Sequence, residues 1–474
     1  MQPDKFYFGG GGSETVIHPA VAAAMILAII LILVLPRRKA ITPFLLCAFL
    51  IPLGQTLVLG GLHLFVLRIV LLFACGRMVF AAFSSPGSIF GGGFGYLDKA
   101  FLLWAFFRTF AFMTLFSFQS GAVVNQVSFL LDVFGAFFFL RFLIHDDEDI
   151  LKVVKVLAVI VAIVGVCMLN EKFRSQNVFG YLGGFPIVPG VRDGAIRAQG
   201  PFSHPILAGS FGATLLPLFF WLWQSGKAKT FAVLGVIGSS CIVLSCASST
   251  PLLAYVAGVG AVCFWPMRKH MRAFRWGLVL ALVAVHLAMK APVWFLIARV
   301  DLTGSSSGYH RAELVDQFIR HFSQWWLVGT NANADWGFDM WDLSNQFVAE
   351  GVTGGLATFI CFIALIAMSF GRIGTARKAV EGDRNQEWFL WFLGAALLSH
   401  MFAFFGISYF DHTQVAWFAL LVMIWVATAT RIPHAVEQPE AAFAGSRLSF
   451  PSAAPVSSSV QRGKPSHALG RSPH

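Results

Sequence analysis

The residues best suited to chemistry lie in a polar stretch, 192–205, which reads RDGAIRAQGPFSHP and directly precedes an apolar run. Glycine allows a ligand close to the backbone, and the planar guanidinium of arginine offers paired donors that match phosphate oxygens. Arg192 and Arg197 are therefore candidates for binding a phosphate-bearing substrate, together with Gly200 and His204. The alternative is that both arginines pair with lipid headgroups at a membrane interface. The position of Arg197, set tightly between Gly200 and the apolar run, favours a functional role.

A second polar stretch, 290–342, separates two later apolar runs. The apolar spacing over 309–322 predicts a short amphipathic helix, preceded by a Ser/Gly turn at 304–308 and carrying Arg311 mostly off its apolar face. The segment after this helix is rich in tryptophan and glycine, which is typical of a loop at a membrane interface. Its tryptophans are Trp325, Trp326 and Trp336.

The composition shows what kind of protein must position these groups. Of 474 residues, 57% are hydrophobic and 12% are charged, whereas soluble globular chains carry about 25% charged residues. The mean hydropathy is +0.72, and we predict an all-α polytopic membrane protein. The net charge of +11 comes from Lys and Arg spread over short loops, as the positive-inside rule requires, so nucleic-acid binding is not predicted. The cysteines show neither metal-ligand nor disulfide spacing.

Apolar runs long enough to cross about 30 Å of hydrocarbon predict about thirteen transmembrane helices. They lie near 16–35, 41–59, 62–83, 100–118, 123–144, 151–169, 206–224, 230–248, 250–266, 274–291, 346–370, 388–407 and 412–430. Loops rich in Lys and Arg alternate with loops that lack them, which predicts an outer N-terminus and a cytoplasmic C-terminus. The same alternation places both long loops, 170–205 and 290–342, on the outer face.

The chain is thus predicted to have an outer N-terminal tail, 1–15, a transmembrane domain, 16–430, and a disordered cytoplasmic tail, 431–474. Arg68 lies in the outer half of an apolar span, where an ionised side chain costs roughly 2.5–3.5 kcal/mol. One interpretation is that Arg68 helps to hold an anionic substrate.

Three motifs occur in a characteristic order: RAQGPFSHP at 197–205, YHR at 309–311, and SNQF at 344–347 followed by GGL at 354–356. With the many-span layout, they resemble the O-antigen ligase and polymerase group of bacterial membrane glycosyltransferases over most of 45–430. The resemblance implies transfer or polymerisation of an undecaprenyl-pyrophosphate-linked glycan on the outer face of the bacterial cytoplasmic membrane. The glycan would belong to O-antigen or exopolysaccharide biosynthesis.

The resemblance also implies that Arg197 and Arg311 hold the pyrophosphate of the donor. A family histidine that helps to activate the acceptor aligns with Ser344, next to Asn345, so this chain departs from the pattern there. A sugar on a lipid pyrophosphate already has a good leaving group, and two guanidiniums stabilise the developing charge without a metal or cofactor. The implied partners are a lipid-linked oligosaccharide donor, a glycan or lipid acceptor, and membrane lipids. Other membrane proteins of polysaccharide assembly are left open.

Several titratable residues are candidate bases for the acceptor hydroxyl. They are His310, Asp342, Glu313, His204 and Glu171. A solvated or headgroup-facing position is the alternative for each of them except Asp342, which opens a span close to Asn345.

Two other classes of function stay open at this point. A transporter or flippase of a lipid-linked or anionic solute would have inverted repeats and broken helices meeting at mid-membrane, and the sequence shows no internal repeat. A structural or assembly protein without catalysis is disfavoured by the paired arginine loops. Ligase and polymerase differ only in the acceptor, so the sequence does not separate them, and it does not give the oligomeric state.

Overall fold

The computed structural model describes residues 15–59, 62–84, 88–299 and 308–432. Within these ranges the chain is almost entirely helical, with two short antiparallel hairpins as its sheets. Nearly all of the predicted N-terminal tail, most of the 304–308 turn and the C-terminal tail from 433 onward lie outside the described residues.

The elements are as follows in chain order. The helices are α1 Pro19–Val34, α2 Arg37–Leu50, α3 Val66–Ser84, α4 Tyr96–Leu115, α5 Ser120–Leu143, α6 Asp147–Arg174, α7 Pro205–Gln224, α8 Lys229–Ser245, α9 Ser249–Cys263, α10 Met271–Ala288, α11 Leu296–Arg299, α12 Gly308–Arg320, α13 Phe322–Trp325, α14 Gln346–Ala379, α15 Arg384–Phe404 and α16 Thr413–Ala429. The hairpins pair β1 Thr56–Leu59 with β2 Leu62–Phe65, and β3 Gly190–Arg192 with β4 Ala195–Arg197.

Among the described residues, seven helices are long and apolar enough to cross a membrane: α3, α5, α6, α7, α10, α14 and α15. Shorter apolar helices of 10–17 residues are α1, α8, α9 and α16. The fold is therefore that of a helical, multi-pass membrane protein. The count of about thirteen crossings and the orientation of the termini stay predictions.

The predicted spans 41–59 and 62–83 are wrong over the stretch between α2 and α3. Pro52 and Gly54 follow the end of α2 and stop the helix, and the chain then turns back on itself as the β1–β2 hairpin. At its base the buried side chain of Gln55 donates to the carbonyl oxygens of Leu182 and Gly183, both at 2.6 Å. The hairpin thus supports the first long loop.

The helices pack closely through small residues. α7 is the most buried of the spanning helices and packs against α8, α9 and α15. Where α8 meets α6, a Cβ added at Gly238 would lie 2.6 Å from the carbonyl oxygen of Val161. Close backbone approach of this kind maximises van der Waals contact between membrane helices.

α14 is broken near its N-terminal third. Gly355 has φ +71° and ψ −174°, which is outside the helical region. The backbone groups released by the break bond to the second long loop: Leu356 N–H donates to Trp326 O, and Thr330 N–H donates to Val352 O, both at 2.8 Å. Unpaired backbone groups are costly in a membrane. The loop therefore stabilises the broken helix by supplying the hydrogen-bond partners that the break removes.

Two of the three tryptophans of the second loop are placed differently from the prediction, whereas Trp326 is 46% exposed. Trp325 and Trp336 are 3% and 5% exposed, and they belong to a small core of their own rather than to a membrane interface. Its members are Leu314, Phe318, Trp325, Trp336, Met340, Val348 and Val352. This core packs α12 and the tryptophan segment against the first turns of α14.

Gly355→Ala should destabilise the protein by roughly 1–3 kcal/mol, because an L residue is strained at this φ and the new Cβ would lie 2.6 Å from Leu327 O. Gly371→Ala is the matched control, since a Cβ there meets nothing within 4 Å in the same helix. The measurement is the thermal unfolding midpoint in one detergent. Equal midpoints for the two variants would contradict the close contact between loop and helix.

Candidate anion-binding site

Arg197 is positioned by the β3–β4 hairpin. Asp193 and Gly194 both have positive φ, +50° and +76°, as a two-residue type I′ turn requires. The register then pairs Arg197 with Gly190 at the open end of the hairpin. The sequence interpretation missed this hairpin, although Asp-Gly is its usual signal.

The turn after Arg197 is fixed from two sides. The fully buried carboxylate of Glu171, at the end of α6, accepts the N–H of Gln199 at 3.1 Å and of Gly200 at 2.9 Å. Asn177 Nδ2 donates to Gly200 O at 2.9 Å, and Gly200 has φ +58°. Gly200 therefore shapes the turn. Glu171, a candidate base from sequence, is engaged in holding the backbone.

A second carboxylate, which the sequence interpretation missed, ties the same turn to α16. Asp411 is 7% exposed, and its Oδ2 accepts both the N–H and the hydroxyl of Ser203, at 3.2 and 2.8 Å. Its Oδ1 accepts the N–H and hydroxyl of Thr413, at 3.0 and 2.8 Å. An Asp two residues before an apolar run gives no functional signal by itself.

Arg311 lies in the first turn of α12 and is 6% exposed, so the prediction that it points off the buried face is wrong. Its Nε is buried without a hydrogen-bond partner among the described residues. Burial lowers the pKa of its guanidinium to about 10, and repulsion from Arg192 and Arg197 adds to the decrease, whereas Asp342 opposes it. The group stays protonated at neutral pH, but its charge is poorly compensated.

Arg197 is half-buried, and it shares with Arg311 a lowered pKa and a buried Nε without a partner among the described residues. Burial lowers its pKa, and the nearby charge of the exposed Arg192 lowers it further. Three arginines from two loops that are far apart in the chain thus act on one another's charge, and two of them have a buried Nε without a partner among the described residues.

His204 joins this cluster as the N-cap of α7. Its Nδ1 accepts the N–H of Ile206 at 3.2 Å. Burial, followed by repulsion from Arg197, lowers the pKa of the imidazole to about 4, against the opposing charge of Asp411. At neutral pH the ring is neutral and too weakly basic to take up a proton.

Asp342 is the acidic residue whose negative charge raises the pKa of Arg311. Its side chain is exposed at the surface, yet neighbouring protein atoms raise its pKa, and Asp339 adds to the increase while His310 and Arg311 oppose it. His310 Nε2 donates to Asp339 O at 2.9 Å. A carboxylate beside a buried cation, with a raised pKa, has the properties of a general base.

Ser344 and Asn345 follow Asp342 at the start of α14. Ser344 is buried, and its N–H donates to Asp342 O at 2.9 Å. Asn345 Oδ1 caps the helix by accepting the N–H of Phe347 at 2.9 Å and of Val348 at 3.2 Å. Its Nδ2 is buried without a partner among the described residues, so Asn345 also offers a free donor.

Arg68, unlike Arg197 and Arg311, has an acidic hydrogen-bond partner among the described residues. Its Nε and Nη2 form a fork on the carboxylate of Asp132, with distances of 2.8 to 3.0 Å. An anion at Arg68 would have to displace this carboxylate. The predicted role in substrate binding gains no support from this geometry.

A buried acid in α14 was also missed from the sequence. Glu350 is fully buried and accepts hydrogen bonds from Gln346 Nε2 at 2.6 Å and Trp104 Nε1 at 2.9 Å, and it pairs with Arg108 at 3.4 Å. Gln346 Oε1 in turn accepts the N–H of Tyr409 at 2.6 Å. The signal available was an acid inside an apolar run, which is costly unless it has partners. The network fixes the first turn of α14 beside α4.

Among the described residues, no three His, Cys, Asp or Glu side chains form a group that could hold a metal ion. No family model, curated protein or solved structure matches the chain.

Glu171→Ala should leave two buried N–H groups unpaired, each costing about 1–3 kcal/mol, and should release the turn that follows Arg197. Glu313→Ala, which removes a half-buried carboxylate from the second loop, is the control. Thermal unfolding midpoints of the purified proteins test the difference. If the Glu171 variant unfolds no earlier than the control, Glu171 does not hold the turn.

Proposed function

We propose that the protein is a membrane glycosyltransferase of the O-antigen ligase or polymerase type, acting on an undecaprenyl-pyrophosphate-linked glycan at the outer face of the bacterial cytoplasmic membrane. One observation carries the proposal. Arg197 and Arg311 come from two different loops, and each presents a buried Nε–H without a partner within one positively charged cluster.

A pyrophosphate satisfies what this cluster lacks. Unpaired buried donors and uncompensated buried charges are both costly. A doubly charged oxyanion would accept from both guanidiniums and remove the repulsion among Arg192, Arg197 and Arg311. Charge-assisted bonds from guanidinium to phosphate are the stronger class of hydrogen bond. A lipid headgroup with a single phosphate would leave part of this charge unbalanced.

These placements support the following reaction. The acceptor hydroxyl oxygen bonds to the anomeric carbon while the bond from that carbon to the pyrophosphate oxygen breaks, and its electron pair remains on the pyrophosphate between Arg197 and Arg311. The hydroxyl proton passes to Asp342, and Asn345 Nδ2 orients the acceptor. The products are the glycosylated acceptor and undecaprenyl pyrophosphate. The arginines supply the positive charge, so no metal or cofactor is invoked.

Transport of a lipid-linked solute is the second candidate, and the break in α14 is the feature that favours it. Transporters leave the backbone groups of broken helices free to coordinate ions or substrate. Here the groups at Gly355 bond to the backbone of the second loop. The break therefore serves to anchor that loop and leaves these groups unavailable for coordination, which weakens the case for transport.

Arg197→Lys and Arg311→Lys should each lower glycan transfer roughly a hundredfold or more, since a point charge does not replace a fork of donors in the transition state. Arg320→Lys is the control, because it lies exposed on the same α12 helix and pairs with Asp316. Transfer from an undecaprenyl-pyrophosphate donor is measured with EDTA present, using proteins that insert normally. Near-normal transfer by both site variants would make these arginines interfacial anchors.

Transfer should also fall at low pH. A base acts when ionised, and the pKa of Asp342 is raised, so activity should disappear as pH decreases through a value above that of an ordinary aspartate. Asp342→Asn should abolish this acid limb and leave slow, pH-independent transfer. An unchanged profile of kcat/KM in the variant would exclude Asp342 as the base.

A further inference from the structure

His204 has a feature that the proposed reaction has not used. Its Nδ1 accepts a backbone N–H from Ile206, so Nδ1 carries no hydrogen. The single ring proton of the neutral imidazole is then on Nε2, which makes Nε2 a donor. The N-cap contact therefore fixes both the tautomer and the direction in which this donor points.

The surroundings of the ring match a donor better than a base. After burial, the charges of Arg197, Arg192 and Arg311 lower the pKa of the ring, and the charge of Asp411 raises it. Asp411 is already engaged by Ser203 and Thr413. The ring is partly exposed, which leaves room for a ligand to reach it.

We propose that His204 binds the substrate as a neutral hydrogen-bond donor, with Nε2–H directed at an oxygen of the pyrophosphate held by Arg197 and Arg311. This inference rests on the proposed function, and it excludes His204 as the base. It is also consistent with the weak basicity of the ring. An imidazole that stays neutral among cations adds a donor without adding to their repulsion.

Two substitutions of His204 separate its role as a donor through Nε2–H from its role as the N-cap of α7. Asparagine is a preferred N-cap residue and keeps an acceptor for Ile206 N–H, but it loses the distal donor. Glutamine reaches the position of Nε2 with an amide N–H and loses the cap. His286→Asn is the matched control, because His286 Nδ1 also accepts a backbone N–H, from Val293 at 3.2 Å, in an exposed part of α10.

The first experiment titrates inorganic pyrophosphate into the purified full-length proteins by calorimetry. His204→Asn should weaken binding about ten- to hundredfold, the value of one hydrogen bond to a charged group, without a change in thermal midpoint. His204→Gln should bind nearly as well as the unsubstituted protein but unfold earlier. His286→Asn should do neither. Binding by His204→Asn within about twofold of the unsubstituted protein would overturn the inference.

The second experiment measures transfer against pH. The acid limb of kcat/KM should persist in His204→Asn at a lower plateau, whereas a catalytic base would lose its limb on substitution. Loss of the limb would overturn the inference. Binding of pyrophosphate by Arg311→Lys separates the role of His204 from the proposed function of the whole site. If pyrophosphate binding depends on Arg311 but not on His204, only the role of His204 fails. If the unsubstituted protein does not bind pyrophosphate, the proposed function fails as well.

Discussion

Repulsion among like charges is the constraint on which the two long loops of this protein depend. Arg192, Arg197 and Arg311 are close enough that each of the first two destabilises the charged form of the third. Left to themselves, flexible loops would separate such groups and let water solvate them. Their proximity is maintained by a scaffold whose stability exceeds the repulsion.

Two carboxylates form that scaffold, and they contact the turn next to Arg197 rather than its guanidinium. Glu171 and Asp411 bond to the backbone and to hydroxyl groups of the turn that follows Arg197, rather than to the guanidinium. The negative charges therefore fix the position of Arg197 without neutralising it. Arg68 illustrates the opposite arrangement, since Asp132 bonds directly to its guanidinium. The guanidinium of Arg68 is thus occupied by a partner from its own chain, whereas Arg197 and Arg311 each keep an Nε donor without one among the described residues.

Much of the architecture follows from sequence, because burial in a membrane imposes long apolar runs that are visible without a structure. The helical, multi-pass character and the helix that carries Arg311 are of this kind. The stretch from Pro52 to Phe65 is apolar too, but the hydropathy did not distinguish a hairpin from a span. The Asp-Gly turn before Arg197 was readable from local chemistry and was missed.

Other features required the fold itself. The sequence interpretation placed Arg311 off the apolar face, yet the folded helix buries it together with Leu314 and Phe318. Nothing in the residues around Asp411 indicates that it would reach Ser203 across the structure. Likewise the partners of Glu350 lie on α4 and α14, and only their packing brings them together. The residue pattern of one segment does not reveal its contacts with segments that are distant in the chain.

The break in α14 has a consequence for how the protein is made. In an unbroken helix the carbonyl of Val352 and the N–H of Leu356, which are four residues apart, would bond to each other. The break at Gly355 separates them, and the second long loop supplies a new partner for each, which hydrocarbon could not. The broken form of the helix is therefore favoured only once the loop has packed against it. Arg311 takes its place in the same step, so an incompletely assembled chain would lack one of the three arginines of the cluster.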